Sequence, residues 1–136
     1  MSASTLARYH AAAVAKDRDG VLACMSDDIQ MYSPTKSRAF AGKSMVGFLF
    51  PHLFDVLEEF RFTETVAAEK TAVIFFECKI GGRRAEGCDV LRFNEAGLID
   101  DFRVLIRPLP AVAALNDIMG TRLAAAMAAG EIAATG

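Results

Sequence analysis

The sequence predicts an α+β domain: helices first, then a run of antiparallel strands, then one more helix. Three observations predict it. Apolar residues recur at helical spacing over residues 4–16 and again in "GKSMVGFLFPHLFDVL". From Glu59 the period shortens to that of strands, in four segments separated by turn residues. Beyond Pro108 and Pro110, which end the last strand, helical spacing returns.

The elements follow in order. In the first helix Leu6, Tyr9, Ala13 and Lys16 share a stripe, with His10 and Val14 beside it. Gly20 breaks that run, and residues 21–25 make a short second helix. "DDIQMYSP" reads as a strand that ends at Pro34. The third helix is strongly apolar, and Pro51 is expected to kink or divide it. Strands are expected at 59–68, 70–80, 84–94 and 98–107, with Gly81-Gly82 and "NEAG" as hairpin turns. Arg83 and Arg84 keep the first tip in water. Val112, Leu115, Met119, Leu123 and Met127 mark the final helix, weakened by Gly120. Residues 1–108 form the main domain, and 109–136 form a helical extension packed on it.

At 136 residues, 53% hydrophobic and 24% charged, the chain can bury a sizeable core and is not of disordered composition. A net charge of -2 offers no general attraction to nucleic acid. No apolar run has membrane-spanning length. The opening "MSASTLARYH" lacks a basic start followed by an apolar block, so a cytoplasmic location is expected. Cys24, Cys78 and Cys88 follow no metal-ligand spacing and read as reduced structural thiols. No phosphate-cradling glycine loop, metal cluster or nucleophile motif is present, so neither cofactor nor metal is expected.

"GCDVLRFNEAG" raises a specific question. In a strand, Asp89 shares a face with Leu91 and Phe93. Placing Phe93 opposite Leu98 puts Asp89 opposite Phe102 and Gly87 opposite Val104. One face then carries Asp89, Leu91, Phe93, Asp100, Phe102, Val104 and Ile106, and is expected to face the helices. Cys88, Val90, Arg92, Ile99, Asp101, Arg103, Leu105 and Arg107 take the other. A carboxylate on the apolar face is costly, so Asp89 is exposed, paired or kept protonated. Meanwhile "TAVIFFECKI" is apolar on both sides, which calls for a cover outside the sheet. A second copy of the chain, in a homodimer through the outer sheet face, is the expected cover.

"ARY" in the first helix, "DD" before the first strand and the late "DVLRFNEAG" together resemble the nuclear-transport-factor-like superfamily. That superfamily includes the ketosteroid isomerases and SnoaL-like cyclases. The resemblance covers about the first 108 residues. It implies a cone, in which a bent antiparallel sheet wraps the helices around an apolar cavity, and commonly a dimer. The ketosteroid isomerases hold a substrate oxyanion with a tyrosine and a protonated aspartic acid, and move the proton with a second aspartate. By that resemblance the donors correspond to Tyr9 and Asp89. The base position, just before a proline, holds Ser33. A serine hydroxyl is no general base near neutral pH. Ketosteroid isomerase activity itself is therefore not expected, and His52, a water or the substrate itself would have to supply the base. The aspartate–arginine chemistry of limonene-type epoxide hydrolysis is not supported either, because Arg92, Arg103 and Arg107 fall on the outer face.

The candidate catalytic residues are thus Asp89, Tyr9 and His52. Ser33, Phe48, Phe76, Leu91, Phe102, Val104 and Ile106 are the candidate ligand-binding residues. Phe40, Phe60, Phe62, Met31 and Met45 suit either a cavity wall or plain core. Each site residue also has a bland reading: a structural carboxylate, a core phenol, a satisfied histidine, a capping serine. His10 is expected at the helix edge, and Asp100 in solvent at the hairpin end. The leading function is binding of a small, mostly apolar molecule with a carbonyl or hydroxyl, with isomerase or cyclase chemistry through an oxyanion. A non-catalytic carrier and a protein-interaction module are the alternatives.

Overall fold

The computed structural model describes residues 1–132. The last four residues of the expected C-terminal extension, 133–136, lie outside the described residues. Helices α1 (Ser2–Val14) and α2 (Arg18–Ala23) precede strands β1 (Met25–Tyr32) and β2 (Phe40–Ala41) and helix α3 (Lys43–Val56). Strands β3 (Glu58–Ala67), β4 (Thr71–Ile80), β5 (Arg83–Phe93) and β6 (Ile99–Arg107) follow, and α4 (Leu109–Ala128) closes the fold. The strands form one curved open sheet in the order β2-β1-β6-β5-β4-β3. Every neighbouring pair is antiparallel except β1 with β6, which run parallel. That pair was not anticipated: β1 lies between its sequence neighbour β2 and the last strand, β6.

Helix α1 buries Thr5, Tyr9, Ala12 and Ala13. Thr5 was not expected inside; its hydroxyl donates to the Gly97 carbonyl at 2.6 Å and ties the helix to the β5–β6 turn. The break after α1 falls at Lys16, with φ of +55°, not at Gly20. Gly20 lies within α2, where Asp17 caps the helix by accepting from the Gly20 amide at 3.0 Å.

Helix α3 runs unbroken through Pro51. Proline has no N–H, so the Gly47 carbonyl one turn earlier loses its helical partner. The Arg18 Nε supplies the missing donor at 2.7 Å. Gly47 makes room for it: a Cβ there would lie 2.7 Å from the guanidinium.

The β5–β6 hairpin corrects the expected register. Asp89 pairs with Val104, and Leu91 with Phe102. The shift is two residues, so the faces of residues 101–107 stand as expected. At the turn, Phe93 pairs with Ile99 and Arg92 with Asp101, leaving Asp100 as the extra residue of a bulge. Ile99 is therefore buried in the core, the reverse of its expected face. Asp100 leaves the place in the inner-face row that the expected register gave it and is half-buried. Asn94 shapes the turn by accepting from the amides of Ala96 and Leu98, each at 3.0 Å.

Two apolar clusters sit on the sheet's inner face. One joins α1 and α3 to Met25, Ile29, Ile74, Leu91 and Phe102. The other joins α4 through Ala111 and Leu115 to Phe76, Cys78, Ile80 and Ala85. On the outer face, Arg61–Glu77, Arg107–Glu86 and Arg103–Asp101 pair at 2.7, 2.7 and 2.9 Å.

Candidate functional site

Tyr9 and Asp89 meet inside the fold. Tyr9 is carried on the buried stripe of α1, and Asp89 on the inner face of β5 between Ile74 of β4 and Val104 of β6. They are 2% and 5% exposed. The Tyr9 hydroxyl donates to Asp89 Oδ2 at 3.3 Å. Phe102 stands edge-on to the Tyr9 ring, with centroids 5.6 Å apart. Among the described residues, Tyr9 is the hydrogen-bond partner of Asp89, and no fully buried side-chain oxygen lacks a partner. Asp89 lines the hollow beside it, and its second oxygen, Oδ1, has no hydrogen-bond partner among the described residues.

Burial pushes the Asp89 carboxyl up to about 7, against a smaller opposing pull from the Tyr9 hydrogen bond. Burial also pushes the Tyr9 phenol well above its ordinary value, and the Asp89 charge adds to this. At neutral pH the phenol is thus a fixed donor, and the carboxyl is poised between its two forms. Burial raises the thiols of Cys24, Cys78 and Cys88 as well, Cys78 to about 11, so none is an activated nucleophile.

The hollow has a volume of about 140 Å³. A dry cavity of about 150 Å³ holds a benzene-sized guest. Tyr9 and Asp89 are its inner polar groups. Leu49, Phe50, Leu53 and Phe54 of α3 form one wall, and Phe102, Val104 and Ile106 of β6 another. Leu115, Met119 and Leu123 of α4 close over it. Ser33, Thr35, Lys36, Lys16 and Asn116 are polar groups elsewhere in the lining.

Of the expected site residues, Tyr9, Asp89, Ser33, Phe102, Val104 and Ile106 line this hollow. His52, Phe48, Phe76 and Leu91 do not, and these placements correct the expectation. His52 lies on the side of α3 turned from the cavity, its ring 4.8 Å from that of Phe48. Its Nδ1 lies 3.2 Å from Arg122, whose guanidinium also pairs with Asp55 at 2.6 Å. Phe76 packs against Phe60 in the second cluster. Leu91 is fully enclosed core. Ser33 Oγ lies 3.3 Å from the Thr35 hydroxyl. Met31, Phe40 and Phe60 join the lining, whereas Phe62 and Met45 pack as core. His10 stacks on Phe62 at 4.6 Å.

The α3 wall was missed although its signal was present. Leu49, Phe50, Leu53 and Phe54 repeat at three- and four-residue spacing, and Phe48, His52 and Asp55 fall on the opposite side. Lys16 and Lys36 carried no signal, because nothing local in the sequence shows that the end of α1 and the β1–β2 loop line one hollow.

Among the described residues no helix is long and apolar enough to cross a membrane. No curated protein matches the sequence. Solved structures do. A steroid delta-isomerase from Pseudomonas aeruginosa is 31% identical, with 93% of this chain and 94% of that one covered and a TM-score of 0.86. An uncharacterised Silicibacter pomeroyi protein with a cystatin-like fold is 33% identical over 87% of this chain and 84% of its own, with a TM-score of 0.83. A Mycobacterium tuberculosis protein in complex with estradiol-17beta-hemisuccinate shares the fold at 23% identity and a TM-score of 0.63, over 81% and 95% of the two chains. Residues 6–102 match the SnoaL-like domain, and the chain belongs to that family.

Proposed function

We propose that the hollow binds a small, mostly apolar molecule through one carbonyl or hydroxyl oxygen, and that Asp89 and Tyr9 isomerise or cyclise it by enolisation. One observation carries this reading: a buried carboxyl that lines an apolar cavity and is hydrogen-bonded at one oxygen to a phenol of the same lining. Similarity to a steroid delta-isomerase supports it.

The proposed step needs no group from outside. Ionised Asp89 takes the proton from the carbon next to the guest's carbonyl, at Oδ1, and the electron pair moves onto the carbonyl oxygen. Protonation of the carboxyl weakens its hold on Tyr9, whose O–H then turns to the new enolate oxygen. Asp89 returns the proton at a different carbon of the conjugated system, and the double bond has moved. An acid near pH 7 serves both directions. His52 has no part, since it faces away from the hollow.

A carrier without turnover is the second reading. What favours it is Ser33 at the position where the isomerase resemblance calls for an acid. The β,γ-unsaturated isomer of cyclohexenone separates the two, because its conversion to the conjugated enone is followed by ultraviolet absorbance. The wild type is expected to exceed background, Asp89→Asn to lose about 10²-fold or more, and Ser33→Asp to gain about 10²-fold. A full rate in Asp89→Asn removes Asp89 from the chemistry. Binding without conversion by the wild type makes the protein a carrier.

The outer sheet face is proposed to close a homodimer. Val66, Phe75 and Leu105 are exposed there, with Leu105 at 51%, and Phe75, Cys88 and Leu105 form a cross-strand row. Sedimentation of the wild type at the mass of two chains, and of Phe75→Glu/Leu105→Glu at the mass of one, is the expected pair of results. A wild-type monomer at high concentration rules the interface out.

A further inference from the structure

Asp89 apart, the charged groups lining the hollow are two ammonium groups, Lys16 and Lys36. Both side chains are exposed. They come from separate elements: Lys16 ends the turn after α1, and Lys36 lies on the loop between β1 and β2.

Among the described residues neither is ion-paired, whereas surface cations such as Arg61, Lys70, Lys79 and Arg107 are. The nearest acid in sequence, Asp17, is committed to capping α2. Lys36 stands 5.6 Å from the ring of Phe40, itself a lining residue, so that contact holds the ammonium at the cavity rather than drawing it away. The Lys16 backbone is set by its left-handed conformation and by its N–H, which donates to the Ala13 carbonyl at 3.1 Å. Ser33 and Thr35 add hydroxyls to the same lining.

The hollow is thus polar in two places: an acid and a phenol at the buried pair, and two unpaired cations with hydroxyls on exposed segments. We propose that its natural guest is an organic anion, an apolar body with a carbonyl or hydroxyl for Tyr9 and Asp89 and a carboxylate or similar group for Lys16 and Lys36. This rests on the cavity-binding reading above. The charge lies on a flexible part of the guest in partial contact with water, so it adds selectivity and attraction rather than most of the affinity. A plainer role for Lys16, favouring the C-terminal end of α1 by its charge, predicts no effect on any guest.

The test uses para-hydroxyphenylpropanoate, a single ring with a hydroxyl at one end and a carboxylate at the other, and its neutral methyl ester. Both are titrated by calorimetry into the wild type and into the Lys16→Gln/Lys36→Gln variant. The acid is expected to bind the variant about three- to tenfold more weakly than the wild type. The ester is expected to bind both alike. Added salt should weaken the acid and spare the ester. Equal affinity of the acid for both proteins overturns the proposal while ester binding leaves the cavity reading standing. If neither compound binds the wild type, the cavity reading falls and takes this proposal with it.

Discussion

Replacing Asp89 with asparagine is expected to stabilise the protein at pH 8 by on the order of 4 kcal/mol, and to change stability by no more than about 1 kcal/mol at pH 4. The reason is the displacement of the carboxyl from 3.8 to about 7 by burial. Between those values the folded chain holds a proton that the unfolded chain has released. Stability from this group is therefore fully present below the unfolded pKa and is lost as pH rises through the folded one. Asparagine keeps the shape and an oxygen for the Tyr9 hydroxyl but has no charge to desolvate. Urea unfolding of both proteins at pH 4 and pH 8 reads the difference directly. Parallel pH profiles would show that the carboxyl is solvated, and the poised acid of the proposed mechanism would go with it.

Phe102→Ala is expected to cost about 3–5 kcal/mol. Phe102 is 1% exposed, faces Leu91 across the sheet and meets the rings of Tyr9 and Phe50 edge-on at 5.6 and 5.9 Å. Its loss removes buried surface and leaves a void that joins the existing hollow, so the walls have little reason to collapse inward. Tyr9 loses the ring that sets its tilt, which should weaken any guest held through its hydroxyl. Phe102→Leu keeps part of the volume and should lose less of both. A cost below about 1 kcal/mol for the alanine variant, measured by thermal or urea unfolding, would mean that the neighbouring rings refill the space.

Much of this architecture is legible along the chain, because its cues are local. Strand alternation places Asp89, Leu91 and Phe102 inward whether the register is right or shifted by two, since a two-residue slip preserves the face. The error at Ile99 and Asp100 comes from a bulge. A bulge depends on how Asn94 folds the turn back on itself, and composition alone does not show it. Tyr9 and Asp89 lie eighty positions apart, and their meeting was anticipated only through resemblance. His52 misled for the opposite reason. A titratable ring on an apolar helix suggests chemistry, but helical geometry turns it toward Arg122 and away from the hollow. The lysines of the lining were invisible, because nothing local links the end of one helix to a loop twenty residues on.

Pro51 has a consequence for how this chain tolerates change. Its ring strands a carbonyl, a distant arginine satisfies it, and a residue without a side chain admits that arginine. Two positions one helical turn apart in α3 and a third in α2 therefore depend on one another. Altering Arg18 alone orphans an acceptor, a loss of about 1–3 kcal/mol. Altering Pro51 first returns a helical partner to that carbonyl and makes the Arg18 contact dispensable, though a side chain at Gly47 still meets the guanidinium. The order in which substitutions arrive, and not merely their sum, decides which descendants of this sequence still fold.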